Sequence, residues 1–134
     1  MTPSSDERKL KELMSIIGNE KSLTEASENE ILSIFNSRGE NAITILNEKK
    51  LRKLILDENI SIWEVKGRSK DYIIIEDNFC ECTDFQFRVL RKGQKTLCYH
   101  LLAKILGEKL ELYDSSNLSS DDYDKILEKR IKTK

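Results

Sequence analysis

Apolar residues recur at two different periods along this chain, and the change of period divides it. From residue 6 to 17, Leu10, Leu13, Ile16 and Ile17 stand at helical spacing, and Gly18 supplies a stop. A second helical pattern runs through LTEASENEILSIFNSRG, with Thr24 as N-cap, Ile31, Leu32, Ile34 and Phe35 facing inward and Gly39 closing it. A short third helical turn, ENAITILNEK, carries Ala42, Ile45 and Leu46. From residue 50 the period becomes two. Leu51, Lys53 and Ile55 alternate with Arg52, Leu54 and Leu56, and in SIWEVK Ile62, Glu64 and Lys66 oppose Trp63 and Val65. YIIIE adds a third run of β-branched and aromatic residues. With turns at GRSKD and EDN, these segments predict a small antiparallel meander leading into Cys80.

The helical period returns in CYHLLAKILGEKLELY. Leu101, Leu102, Ile105, Leu106 and Leu110 share a broad apolar face there, and Lys104, Glu108, Lys109 and Glu111 are expected to point outward. SSNLSS reads as a polar linker. DDYDKILEKRIKTK then predicts a last helix, capped by Ser119 or Ser120, with acids in its first turn and bases in its last. The fold class is therefore α+β, without internal repeats. Residues 1–49 form an N-terminal helical region, 50–113 the meander and the Cys/His stretch, and 114–134 the linker and C-terminal helix. The N-terminal helices serve either as a packing scaffold or as an apolar surface for a partner protein.

Composition narrows this picture. A length of 134 residues fits one domain, and 38% apolar against 35% charged residues, with a mean hydropathy of −0.54, makes its core lean. A metal or a partner is then expected to supply part of the stability. The net charge of −1 does not by itself suggest nucleic acid. No stretch of eighteen apolar residues is present, so no transmembrane helix is expected. The start, MTPSSDERKLKEL, lacks the apolar centre of a signal peptide, so an intracellular, soluble chain with reduced thiols is expected. Three cysteines, an odd number, also argue against a disulfide framework.

Those three cysteines and the only histidine all lie between Cys80 and His100, as C-x-C, fifteen residues, then C-x-H. Three thiolates and one imidazole form a complete tetrahedral ligand set for one structural zinc ion. In extended chain, residues i and i+2 point the same way, so Cys80 and Cys82 can grip one ion from a strand end. In a helix they stand about 200° apart, so Cys98 must precede the helix and His100 lie in its first turn. The set leaves no open position for water or substrate. A Cys–His nucleophile pair would leave Cys80 and Cys82 without a role, so the chain is not expected to be an enzyme or to take a small-molecule substrate.

Between residues 88 and 109 the charge is net +5, from Arg88, Arg91, Lys92, Lys95, Lys104 and Lys109 against Glu108. One account is compensation of the site, since three thiolates around Zn²⁺ leave a charge of −1. The other is a phosphate-contacting patch, with Arg88, Arg91, Lys92 and Lys95 as candidate DNA contacts.

The stretch CxCxxFxFxVLRKxxxxLCxHLLA is formed here by Cys80, Cys82, Phe85, Phe87, Val89, Leu90, Arg91, Lys92, Leu97, Cys98, His100, Leu101, Leu102 and Ala103. It resembles the SWIM-type zinc finger and, in its apolar positions, the small SWIM-domain subunit of Shu complexes. Tyr99 and the CTDF segment depart from the usual form, and the specific match covers about residues 79–106. The resemblance implies a non-enzymatic nuclear protein that pairs with a RecA-like recombinase paralog. That pair would promote homologous recombination by supporting recombinase filaments on single-stranded DNA. Cys80, Cys82, Cys98 and His100 would be its zinc ligands. An autonomous DNA-binding module, or a SWIM adaptor serving another process, are the competing readings.

Overall fold

The computed structural model describes residues 5–56, 61–67, 70–75, 79–82, 97–119, 121–122 and 124–125. Among these residues, helices α1 (Ser5–Ile17), α2 (Glu25–Phe35), α3 (Ser37–Asn47) and α4 (Tyr99–Leu110) accompany a sheet. Its strands are β1 (Leu51–Ile55), β2 (Ser61–Lys66), β3 (Asp71–Ile75), β4 (Phe79–Cys80) and β5 (Asp114–Asn117), in the order β4-β3-β2-β1-β5. The α+β reading and the antiparallel meander are as expected from sequence. β1 pairs with β2, and β2 with β3, through Leu51↔Val65 and Trp63↔Ile74, which puts the large apolar residues on one face. Cys80 pairs with Ile74 and shares that face.

Helix α4 lies against β1, β3 and β4 on this face, and α3 lies against α4. A single buried cluster joins Leu13 and Ile17 of α1, Ile31 and Phe35 of α2, and Ala42, Ile45 and Leu46 of α3. It continues through Leu51, Trp63, Val65 and Ile74 of the sheet to Leu101, Leu102, Leu106 and Leu110 of α4.

Helix α2 starts at Thr24 as expected. The Thr24 hydroxyl accepts from Ser27 N at 3.1 Å, and Ser27 Oγ accepts from Thr24 N at 2.8 Å, a reciprocal capping box. Its end differs from the expectation. Asn36, at φ 55°, breaks the chain between α2 and α3, and Gly39 lies inside α3. A Cβ at Gly39 would stand 2.7 Å from the Ile31 carbonyl oxygen, so this glycine permits two backbones to approach and is no stop. Gly18, at φ 61°, does end α1. Leu32, expected inward, is 37% exposed, and Ile16 of α1 is 48% exposed, while Met14 and Ile34 are partly buried against the core.

Two further corrections concern the second half. The segment read as the start of a polar linker supplies β5, parallel to β1 from Arg52↔Asp114 to Ile55↔Asn117. An edge strand needs only backbone partners on one side, so polar DSSN serves. Glu111, at φ 58°, turns the chain out of α4 toward it. Lys104, expected to point outward, is 3% exposed. Its stem covers Trp63, its Nζ lies 5.1 Å from that ring's centre, and the same Nζ donates to Glu108 Oε1 at 3.0 Å. Lys104 therefore drops out of the surface charge counted from sequence. At the C-terminal end, Ser119 is the cap: its hydroxyl accepts from Asp122 N at 3.1 Å.

A partly buried ion pair ties the first helix to the rest. Arg38 donates to both carboxylate oxygens of Asp6, at 2.7 and 2.9 Å. Burial acts to raise the Asp6 carboxyl, but the Arg38 guanidinium and the Leu97 N–H outweigh it and hold the group below its ordinary 3.8. A depressed carboxyl adds stability that is complete above its unfolded value and is lost as pH falls through the folded one. Urea midpoints of wild type and Asp6→Asn are accordingly expected to differ most above about pH 5 and to converge on acidification. A constant difference from pH 6 down to about 2.5 would show that the charge contributes nothing.

Candidate metal centre

The four ligand candidates converge. Cys80, Cys82, Cys98 and His100 are all buried, and their ligand atoms lie within 4.8 Å of one another. Sulfur atoms on a tetrahedral zinc are about 3.8 Å apart at Zn–S distances of about 2.3 Å, so the set fits one ion with little adjustment. Buried polar atoms are normally satisfied, yet Nδ1 of His100 has no hydrogen-bond partner. A metal would satisfy an imidazole nitrogen placed beside three sulfurs.

Local structure explains the convergence. Cys80 ends β4, and Glu81 turns the other way. Its N–H donates to the Ile73 carbonyl at 3.1 Å, and its Oε1 accepts from Ile73 N at 2.8 Å. Both bonds hold Glu81 on β3, and the residues on either side are left to face the ion together. Cys98 is the N-cap of α4, at φ −76° and ψ 163°, and its Sγ accepts from Leu101 N at 3.4 Å. A thiolate there also faces the positive end of the helix dipole. His100 occupies the first turn, as the spacing requires. Its ring lies 4.6 Å from Tyr72 and 4.1 Å from Tyr99, centre to centre. The two tyrosines restrict the imidazole's orientation, and no sequence signal pointed to Tyr72.

As bare thiols the cysteines crowd one another. Hydrogen bonds with Cys82 and Cys98, followed by burial, drive Cys80 far above the ordinary 9.0. A bond with Cys80 pulls Cys98 down, but Cys82 and burial outweigh it and the group is pushed up to about 12. Burial, with Tyr72 and the sulfurs behind it, raises Tyr99 as well. A divalent cation reverses this balance for the thiols, because its charge stabilises the thiolates it binds. With four protein ligands the arrangement can hold an ion and staple β4 to α4.

The candidate DNA contacts Arg88, Arg91, Lys92 and Lys95 lie outside the described residues, as do Phe85, Phe87, Val89 and Leu90. A different cationic group is visible. Lys49, Lys50, Arg52 and Lys66, with Asp114 and Ser116, line a cleft of about 190 Å³ where β1, β2 and β5 meet. Lys50 pairs with Glu48 at 3.3 Å and Arg52 with Glu64 at 3.4 Å. The run KKLRK carries four of its five residues as cations and could have flagged this place.

No protein-family model and no solved structure matches the chain. Curated relatives do. Zinc finger SWIM domain-containing protein 7 of Homo sapiens is 27% identical over 96 residues, 70% of this chain and 69% of the relative. The Mus musculus protein of the same name is 30% identical over 79 residues, 58% of this chain and 52% of its own length. The Dictyostelium discoideum homolog is 26% identical over 113 residues, 80% and 72% of the two chains. The chain is thus similar to the proteins named Zinc finger SWIM domain-containing protein 7, and its Cys/His cluster at the start of α4 fits a SWIM-type zinc site.

Proposed function

We propose that this chain is a non-enzymatic, nuclear adaptor that pairs with a RecA-like recombinase paralog. The pair promotes homologous recombination by supporting recombinase filaments on single-stranded DNA. The observation that carries the reading is the Cys₃His set: four buried side chains converge, enough to fill a tetrahedral ion's positions, which suits a staple and not a reaction centre. The Shu-type assignment itself rests on the resemblance of the residue 80–103 motif. Affinity purification of the intact chain from nuclei, with mass spectrometry of what accompanies it, tests the reading. A RecA-like paralog in about equal amount is the expected result. Its absence, with components of another process recovered in its place, would overturn it.

A second reading, autonomous DNA binding, is favoured by the Lys49, Lys50, Arg52 and Lys66 cleft. It predicts that the zinc-loaded chain alone binds an oligothymidylate at low salt, with a logarithmic salt slope of about −3 if four phosphates are contacted. Changing Lys49 and Lys66 together to Glu should flatten that slope by about half. No binding at low salt by the isolated chain would dispose of this second reading.

A further inference from the structure

The residue just before the ligand Cys98 is held by both of its backbone groups, and neither partner is near it in sequence. Leu97 N donates to Asp6 Oδ2 at 2.8 Å, and Arg38 Nη1 donates to the Leu97 carbonyl at 2.8 Å. Arg38 at the same time forks onto Asp6, through Nη1 to Oδ2 at 2.7 Å and Nη2 to Oδ1 at 2.9 Å. Asp6 is in the first turn of α1 and Arg38 in the first turn of α3. The Asp6 side chain is only 7% exposed, and the Arg38 guanidinium also rests over Phe35 at 5.4 Å. Such a largely desolvated ion pair alone is weak evidence of a stabilising role, since a well-packed apolar pair is often as stable. What a carboxylate–guanidinium pair can do, and an apolar pair cannot, is grip an N–H and a carbonyl of the same residue.

That grip sets the direction in which the chain enters the N-cap of α4, and so the direction of Cys98 Sγ. We infer that Asp6 and Arg38 are positioning residues of the metal centre, and that α1 is thereby coupled to zinc occupancy. The inference rests on the zinc site and is independent of the partner and DNA readings. Groups that orient metal ligands are commonly worth 10–100-fold in metal affinity. Coupling between two sites is also reciprocal, so zinc tightens the docking of α1 by as much as docked α1 tightens zinc.

The test uses the intact zinc-loaded chain, at a temperature well below its thermal midpoint. Zinc affinity and release are read by competition with a chromogenic chelator for wild type, Asp6→Ala, Asp6→Asn and the control Leu110→Ala. Leu110 is fully buried at the far end of α4, roughly 16 Å along the helix from the ligands. Asp6→Ala is expected to weaken zinc binding by about 10–100-fold. Asp6→Asn keeps an acceptor for the Leu97 N–H and should fall between it and wild type. Leu110→Ala should lower the thermal midpoint while leaving zinc release within about 3-fold of wild type, since it does not orient a ligand. Should Asp6→Ala not fold, Asp6→Asn against Leu110→Ala carries the comparison. Zinc release unchanged in the Asp6 variants, or accelerated equally in Leu110→Ala at a matched midpoint, overturns the inference. A wild-type chain that binds no zinc overturns the metal centre instead, and that outcome is distinguishable from the others.

Discussion

A chain stripped of zinc by a strong chelator is expected to lose its folded structure, and Cys98→Ser is expected to behave the same way. Metal binding in isolated structural zinc sites is worth roughly 10–16 kcal/mol, whereas whole domains are stable by only about 5–15 kcal/mol. Removing the first quantity leaves little of the second. Cys98 does two things, as a ligand and as the N-cap that accepts from Leu101 N. Serine keeps the capping oxygen, which is itself worth about 1 kcal/mol, so its effect isolates the lost thiolate. Elemental analysis should find about one zinc per chain in wild type. Far-ultraviolet circular dichroism should then show the helical signal falling on chelation and returning with added Zn²⁺. A chain that stays folded and metal-free after purification would refute the staple.

Gly39→Ala is expected to destabilise the protein, against the sign that helix propensity predicts. In an open helix interior, replacing Gly by Ala gains about 1 kcal/mol. At Gly39 the new Cβ would meet the Ile31 carbonyl oxygen at 2.7 Å and Ile31 Cγ2 at 3.0 Å. Ile31 is fully buried and belongs to α2, so neither its backbone nor its side chain can withdraw cheaply. Overpacking of this kind costs about 1–3 kcal/mol and sometimes more, which exceeds the propensity gain. Gly18→Ala is a useful contrast: no atom lies within 4 Å of its added Cβ, and its penalty comes only from φ 61°. A thermal melt of Gly39→Ala should fall by several degrees with zinc saturating. A rise instead would mean that α2 and α3 separate at low cost.

Local pattern carried much of this fold. The period-two runs became β1, β2 and β3 in the expected order, and Thr24 and Gly18 bounded their helices, because strand alternation and capping are decided within a few residues. Misreadings arose where a residue's role is set across the fold. Gly39 looked like a stop because a closing glycine and a close-approach glycine are alike in sequence; only Ile31 opposite tells them apart. Lys104 looked like a surface charge because its covering ring, Trp63, is 41 residues away. The segment from Asp114 to Asn117 has no apolar alternation to announce a strand, and pairs only because β1 offers a free edge.

The metal centre divides along the same line. Sequence by itself determined the four ligands and placed Cys98 ahead of the helix with His100 in its first turn, since donor chemistry and i, i+2 geometry are local. Only the tertiary structure decided what orients them: Glu81 folded back on Ile73, Tyr72 and Tyr99 beside His100, and Asp6 with Arg38 holding Leu97 from 91 and 59 residues away. Ligand identity is written in the residues themselves, whereas their aim depends on groups brought together across the fold, by the packing of α3 against α4 and by Asp6 of α1 reaching the Leu97 N–H.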